Sequence, residues 1–402
     1  MFSPTTQLIH HPYTPPSGFE APQPGVFKAS TVIFPTVAAM RERKWKDKSA
    51  FTYGLHGTPT TYQLEERLCS LEGGLYCVLV PSGLAAIANV ALAMLKSGDS
   101  MLLPNNVYGP NQAFADAQLA RWGITTEVYD AMNPADLADK ITDTTRLVWV
   151  EAAGSVTLEF PDLPALVRIC QARGVACALD NTWGAGLAFN PFDLLPGTSP
   201  ALGVDISAHA LTKYPSGGGD VLMGSVITRN PALHSKIQRT HMHLGLGVGA
   251  NDAELVLRSL PSMALRYHAH DTATRALAQW CTQQPEFAQV LHPALPDSPG
   301  HANWLKLCRS GAAAGLFSVV LKAQYTAAQV DAFCDALQVF KIGYSWGGPM
   351  SLVVPYELTN MRKKWPSGLA QGTLVRFAVG LESVADLQAD LAQALQHLVA
   401  SC

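Results

Sequence analysis

The chain has 402 residues, 48% of them hydrophobic and 15% charged, enough apolar sequence to bury a large core, which excludes a disordered chain or a small disulfide-stapled scaffold. Lys plus Arg number 28 against 31 Asp plus Glu, a formal net charge of -3, with no long run of either sign, so neither nucleic acid nor an anionic membrane is an expected partner. Small molecules are the expected partners, and at about 150 residues per domain the length predicts two domains.

The first residues, MFSPTTQLIHHPYTPPSGFEAP, lack a charged segment followed by an apolar one and do not read as a signal peptide. A cytoplasmic protein is expected. Residues 1–60 are proline-rich with little periodicity and read as an arm lying on the chain's own core or on a partner subunit. From Tyr62 a helix is expected, with Leu64, Leu68 and Leu71 at helical spacing and Gly73-Gly74 as its stop. There follow strand CVLVP (77–81), buried helix LAAIANVALAML (84–95), strand DSMLLP (99–104), helix NQAFADAQLARWG (111–123) and strand TTEVYD (125–130). Helix MNPADLADKI (132–141), strand RLVWVEA (146–152), helix LPALVRICQARG (163–174), strand ACALDN (176–181) and strand DISAHA (205–210) complete the series. The least polar stretch, Cys77 to Leu95, is broken by Pro81, Ser82, Gly83 and Asn89 and so is no membrane span. Short apolar strands alternating with helices predict an α/β fold, a parallel sheet covered on both faces, with ligands at the carboxyl ends of the strands.

Past about Leu260 the rhythm changes. GLFSVVLK (315–322), MSLVVPYE (350–357) and TLVRFAVGL (373–381) read as strands, AAQVDAFCDAL (327–337) and VADLQADLAQALQHLVAS (384–401) as helices, together a smaller α+β unit. The expected organisation is therefore an arm over 1–60, an α/β domain over 61–258 and an α+β domain over 259–402. The eight cysteines, Cys69, Cys77, Cys170, Cys177, Cys281, Cys308, Cys334 and Cys402, form no CxxC and no metal-ligand spacing with histidine, and read as free thiols of a reducing compartment. The pairs His241/His243 and His268/His270 show no third ligand, so no metal is expected.

Two strand ends carry the chemistry. ACALDN ends on Asp180, and DISAHA leads straight into Leu211-Thr212-Lys213-Tyr214. An acid at one strand end and a lysine at a later one suit pyridoxal phosphate, where the lysine condenses with the aldehyde and the carboxylate holds the pyridine nitrogen protonated; a helix-capping Asp180 and a solvated Lys213 remain the bland alternative. Pro81-Ser82-Gly83-Leu84, turning from a strand into a helix, offers backbone N–H groups for a phosphate, and Thr212 a further hydroxyl. Arg376 stands inside the apolar strand LVRFAV and there needs an anionic partner.

With TYGLHGTPT (52–60), LEGG (71–74), PSGLAAIAN (81–89), NVYGP (106–110), GSVTLE (154–159), LDNTW (179–183), LTKY (211–214), YSWGG (344–348) and LVRFAVGLE (374–382) in one order, nearly the whole chain resembles the Cys/Met-metabolism family of pyridoxal-phosphate enzymes, the fold type I transsulfuration group. Trp346 in YSWGG resembles its β-lyase branch, since the γ-acting branch usually carries Leu there. The resemblance implies a fold type I architecture with a mostly parallel sheet, a smaller C-terminal domain and an N-terminal arm, assembled as a homotetramer with active sites shared between subunits. It implies that Lys213 is the Schiff-base lysine, Asp180 the partner of the pyridine nitrogen and Tyr108 the residue stacked on the ring. Ser82, Gly83, Leu84 and Thr212 would line the phosphate pocket with Tyr53 from a neighbouring subunit, while Arg376 would hold the substrate α-carboxylate beside Ser345 and Trp346.

Three positions depart from the family pattern: Leu55 where an arginine commonly binds phosphate, with His56 beside it; Ala210 in place of a serine; and Gly218-Gly219 in place of His-Ser. The implied activity is β-elimination of L-cystathionine to homocysteine, pyruvate and ammonia in methionine biosynthesis. The alternatives are a carbon–sulfur lyase acting on L-cysteine, L-cystine or other cysteine conjugates, a γ-acting relative, and a non-catalytic paralogue.

Overall fold

A computed structural model describes residues 4–399 apart from 46, 47, 49, 309 and 363; Cys402 and the last residues of the expected closing helix lie outside these. The larger sheet is built from β1 (Tyr76–Val80), β2 (Ser100–Pro104), β3 (Thr125–Tyr129), β4 (Thr145–Glu151), β5 (Ala176–Asp180), β6 (Ile206–Ala210) and β7 (Gly224–Thr228). Their order is β1-β7-β6-β5-β4-β2-β3. The pairs among β2, β3, β4, β5 and β6 are parallel, whereas β7 is antiparallel to both neighbours. The mostly parallel, fold type I architecture expected from the sequence is thus the observed one; β7, GSVIT, is a strand that the sequence reading did not include.

Burial on both faces follows from the strand alternation. In β1, Cys77 and Leu79 enter the core layer containing Leu64, Leu68 and Leu71 of the helix Pro59–Glu72. Val78 and Val80 enter the opposite layer with Ile87 and Val90 of the helix Gly83–Met94. β4 repeats the pattern, Val148 and Val150 to the first layer, Leu147 and Trp149 to the second.

The smaller sheet contains β8 (Phe287–Leu291), β9 (Leu316–Leu321), β10 (Lys341–Ile342), β11 (Leu352–Tyr356) and β12 (Leu374–Ala378), in the order β10-β11-β12-β9-β8. β8 and the two-residue β10 were not legible as strands. One face of this sheet packs Phe317, Val319, Val353, Val375 and Phe377 against Phe333, Leu387 and Leu391 of the helices Ala327–Asp335 and Val384–Val399. The 32-residue helix Ala250–Cys281 runs across residues 258 and 259 and contributes to the cores beside both sheets. Among the described residues, the proline-rich first 60 hold one isolated bridge, Thr31 to Tyr53, a short helix, Pro4–Ile9, that buries Leu8, a second short helix, Val37–Arg41, and a single 3-10 turn, Gly54–His56. Among the described residues no helix is long and apolar enough to cross a membrane.

The two sheets meet at the segment that carries Lys213. Tyr214 is fully buried, and its hydroxyl accepts a hydrogen bond from Gly315 N at 2.8 Å, immediately before β9. Arg266 Nη1, from the long helix, donates to Tyr214 O at 2.8 Å. Gly347, at φ +75°, lets the backbone pass so close that a Cβ there would lie 2.8 Å from Tyr214 N. Tyr214→Phe leaves a buried N–H without an acceptor and should cost about 1–3 kcal/mol. Denaturant unfolding measures this, and an unchanged midpoint would contradict the proposed junction.

Candidate functional site

The carboxyl ends of β5 and β6 open into a cavity of about 170 Å³. Asp180 is the last residue of β5, and Lys213 follows three residues after the end of β6. These strands are neighbours, with Asp180 opposite Ala208. Strand pairing alone therefore brings the acid and the amine to one crevice.

On the acidic side, Thr182 donates to Asp180 Oδ1 twice, from N at 3.0 Å and from Oγ1 at 2.5 Å. Oδ2 is left for another donor. Burial pushes the Asp180 carboxyl above its usual range, opposed by those two hydrogen bonds. A second buried acid, Glu151 at the end of β4, lines the same cavity and accepts from Tyr108 N at 2.8 Å. Burial, then the neighbouring Asp180 charge, drives Glu151 well above the carboxylate range, against hydrogen bonds from Tyr108 and Ser155. Burial likewise raises the Tyr108 phenol, with Asp180 and Glu151 adding to the shift, so Tyr108 stays a hydrogen-bond donor at neutral pH.

On the basic side, Lys213 Nζ donates to Ser345 Oγ at 2.7 Å and stands 4.4 Å from the Trp346 ring centroid. Ser345 adopts φ 118°, an unfavourable conformation for a residue with a side chain, and backbone strain of this kind is held in place only by its surroundings. Arg376, at the centre of β12, is 4% exposed. Its Nη1 donates to Ser155 O at 3.0 Å, and its guanidinium carbon lies 5.2 Å from the Trp346 centroid and 5.3 Å from that of Tyr356. Among the described residues no carboxylate pairs with it. Burial lowers the Lys213 amine to about 8, with the Arg376 charge adding to the effect and Asp180 opposing it.

At the far end of the cavity, Ser82 caps the helix Gly83–Met94, its Oγ accepting from Ala85 N at 3.0 Å. Gly83 is needed for contact with β6, since a Cβ there would approach that of Ala210 to 2.6 Å. Thr212 Oγ1 is tied to Met223, accepting from its N at 3.2 Å. Lys213 supplies the one Lys or Arg side chain among the described lining residues, so no second cation lines the cavity beside Ser82 and Gly83 within a single chain.

The structure thus gathers Lys213, Asp180, Tyr108, Ser82, Gly83, Leu84, Thr212 and Trp346 around one cavity, with Ser345 and Arg376 in contact at its edge. It does not bring Tyr53 there. Tyr53 is 47% exposed and pairs with Thr31, and the neighbouring Leu55 and His56 line a separate crevice. Sequence reasoning missed Glu151, Ser155, Thr182 and Tyr356; the acid closing the apolar run RLVWVE was the one available signal. His241 and His243 lie in the helix Pro231–Leu244, His268 and His270 in Ala250–Cys281. Among the described residues no cluster of three or more potential ligands could hold a metal.

A family model described as Cys/Met metabolism PLP-dependent enzyme matches residues 5–396. The chain is 38% identical over 400 residues to the cystathionine beta-lyase of Bordetella avium, covering 97% of each protein. It is also similar to the crystal structure of cystathionine gamma synthase from Xanthomonas oryzae pv. oryzae in complex with cystathionine, with a TM-score of 0.87, 26% identity and full coverage of both chains. Further relatives are a cystathionine gamma-synthase of Mycobacterium bovis, 31% identical over 98% of this chain and 96% of its own length, and an L-alanine/L-glutamate racemase of Wolbachia pipientis, 30% identical over 93% and 92%.

The charge arrangement makes a measurable forecast. Lys213 becomes neutral, and so reactive toward carbonyl and arylating reagents, as pH rises through about 8, well below the ordinary lysine value of about 10.4. Arg376→Leu removes the neighbouring positive charge and should move that midpoint upward. Site-specific labelling of Lys213 against pH, read by peptide mass mapping, checks both; an ordinary lysine midpoint in the unsubstituted protein would show that the amine is not buried beside Arg376.

Proposed function

The chain belongs to the Cys/Met-metabolism pyridoxal-phosphate-dependent enzymes, and from that premise we propose that it is a carbon–sulfur β-lyase cleaving L-cystathionine, with water, to homocysteine, pyruvate and ammonia. The observation that carries this reading is the placement of Lys213 and Arg376 over one Trp346 indole, across a cavity from Asp180. The residues present fit the cofactor: an amine with a lowered pKa, a carboxylate with one oxygen left for a donor, and a helix N-terminus capped by Ser82.

Pyridoxal phosphate supplies an aldehyde that condenses with amines and a ring that accepts an electron pair. Lys213 Nζ would hold that aldehyde and, once released, take the proton from the substrate Cα; the burial that lowers the free amine to about 8 favours the neutral form a base requires. Asp180, with Oδ2 not taken by Thr182, would hold a proton at the pyridine nitrogen. Arg376, already desolvated and without a carboxylate opposite, receives the substrate α-carboxylate through its fork of N–H groups, and Ser155 O and Trp346 keep that fork oriented. Tyr108, a protonated phenol beside Glu151 and Asp180, covers the ring. Lys213 Nζ carries the abstracted proton to the departing sulfur, with the Tyr108 hydroxyl as the adjacent donor. Ser82, Gly83, Leu84 and Thr212 take the phosphate. Tyr53 joins them from a second copy of the chain, which makes an oligomer, in our reading a tetramer of two such dimers, the active form.

Purified protein supplied with pyridoxal phosphate and L-cystathionine should release pyruvate and a free thiol in equal amounts. Lys213→Ala should abolish the visible absorbance of the bound cofactor and lower turnover by roughly 10³-fold or more. Release of 2-oxobutyrate would assign the chain to γ-chemistry. Faster pyruvate formation from L-cysteine or L-cystine would replace cystathionine by a smaller conjugate, and D-amino acid formation without pyruvate would point to racemisation.

A further inference from the structure

On the side of the larger sheet packed by the helix Pro59–Glu72 lies a polar cluster, reaching the cavity lining only through His209, that none of the roles above uses. Glu72, the last residue of that helix, is fully buried. Its Oε2 accepts from Ser207 Oγ at 2.5 Å and from Asn181 Nδ2 at 3.0 Å, and its Oε1 lies 2.8 Å from His209 Nδ1. Burial alone would raise this carboxyl, but the His209 contact and the Ser207 and Asn181 donors hold it below the ordinary value. An ionised carboxylate has no proton to give, so His209 Nδ1 is the donor. Gly186, at φ +70°, makes room for the cluster, since a Cβ there would come within 3.0 Å of Glu72 Cγ.

All three partners belong to the strand ends that carry the site. Asn181 directly follows Asp180, its N bonded to Ala208 O at 2.8 Å. Ser207 and His209 stand in β6, shortly before Lys213. On the cavity side a tie through the Thr182 hydroxyl crosses the same gap: Ala210 N donates to Thr182 Oγ1 at 3.0 Å, and Thr182 Oγ1 donates to Asp180. Glu72 is the counterpart on the other face of the sheet, its ionised carboxylate accepting directly from donors on both strand ends, and charge-assisted hydrogen bonds of this kind are the stronger ones.

We propose that Glu72 is a positioning residue whose buried carboxylate, through Asn181, Ser207 and His209, sets the separation and orientation of Asp180 and Lys213 for the cofactor. The proposal rests on the cofactor reading above. A carboxylate is required because it only accepts. A glutamine in its place turns an NH₂ group toward one of three donors, and it can donate to His209 only if the imidazole proton moves to Nε2, which is buried with no hydrogen-bond partner among the described residues.

The test compares Glu72→Gln and the milder Ser207→Ala with the unsubstituted protein. Three quantities are measured: the pyridoxal phosphate dissociation constant by equilibrium dialysis, the pH midpoint of the visible band of the loaded protein, and the melting temperature of the cofactor-free protein. Glu72→Gln should weaken cofactor binding about tenfold or more, as loss of a supporting outer-shell contact does at other ligand sites, and move the pH midpoint by about one unit. Ser207→Ala should change both in the same sense by a smaller factor. Unchanged dissociation constant and pH midpoint in a folded variant, whatever its melting temperature, would overturn the proposal and leave Glu72 a purely structural residue. If Glu72→Gln fails to fold, Ser207→Ala decides by the same criterion. A missing visible band in the unsubstituted protein would overturn the cofactor reading and this proposal together.

Discussion

A buried guanidinium with no carboxylate facing it is among the costlier things a fold can contain, because the lost hydration must be replaced by dipoles, aromatic faces or a ligand. Arg376 is such a group. Ser155 O, Trp346 and Tyr356 replace part of its hydration, and the deficit that remains is an affinity for an incoming anion. Burial makes a cation at Lys213 expensive, and the Arg376 charge beside it adds to that cost, so the amine loses its proton readily. In the proposed reading, the same buried environment would prepare Arg376 as a carboxylate receptor and Lys213 as a base. The two acids across the cavity obey the same logic with the opposite sign: burial raises both, and the Asp180 charge raises Glu151 further.

The fold supplies these groups from independent elements and holds them by few but specific contacts. Asp180 and Lys213 come from adjacent parallel strands, Tyr108 from the turn after β2, Arg376 from the smaller sheet, and Ser345-Trp346 from the loop before β11. Tyr214 with Gly315 joins the two sheets next to the lysine. The Glu72 cluster ties β5 to β6 on the other face. Misplacement at either junction would alter the geometry between acid and amine without touching either one, and sub-ångström placement of this kind is what reactive sites demand of their supporting residues.

Much of this was legible in the sequence, because period-2 and period-3.6 apolar patterns report burial and a polar residue closing an apolar strand reports a strand end. Asp180, Lys213 and the anion requirement of Arg376 are of that sort. Other features carry no local signature. β7 and β8 are short strands whose pairing is set by distant partners. Glu72 looks like the end of an ordinary helix before Gly73-Gly74, and only folding brings Ser207 and Asn181 onto it. Tyr356 became part of the site through cross-strand pairing, Val354 standing opposite Arg376. Tyr53 illustrates the complementary limit: its motif resembles that of an active-site arm, yet within one chain it lies apart from the cavity, half exposed.

The central claim is that Lys213 is the amine to which this site fastens its cofactor. Borohydride reduction of the protein loaded with pyridoxal phosphate, followed by peptide mass mapping, tests it without reference to any substrate. A pyridoxyl group on the peptide containing Lys213, and on no other lysine, is the predicted result. Attachment elsewhere, with Lys213 unmodified, would contradict the account from the strand ends upward.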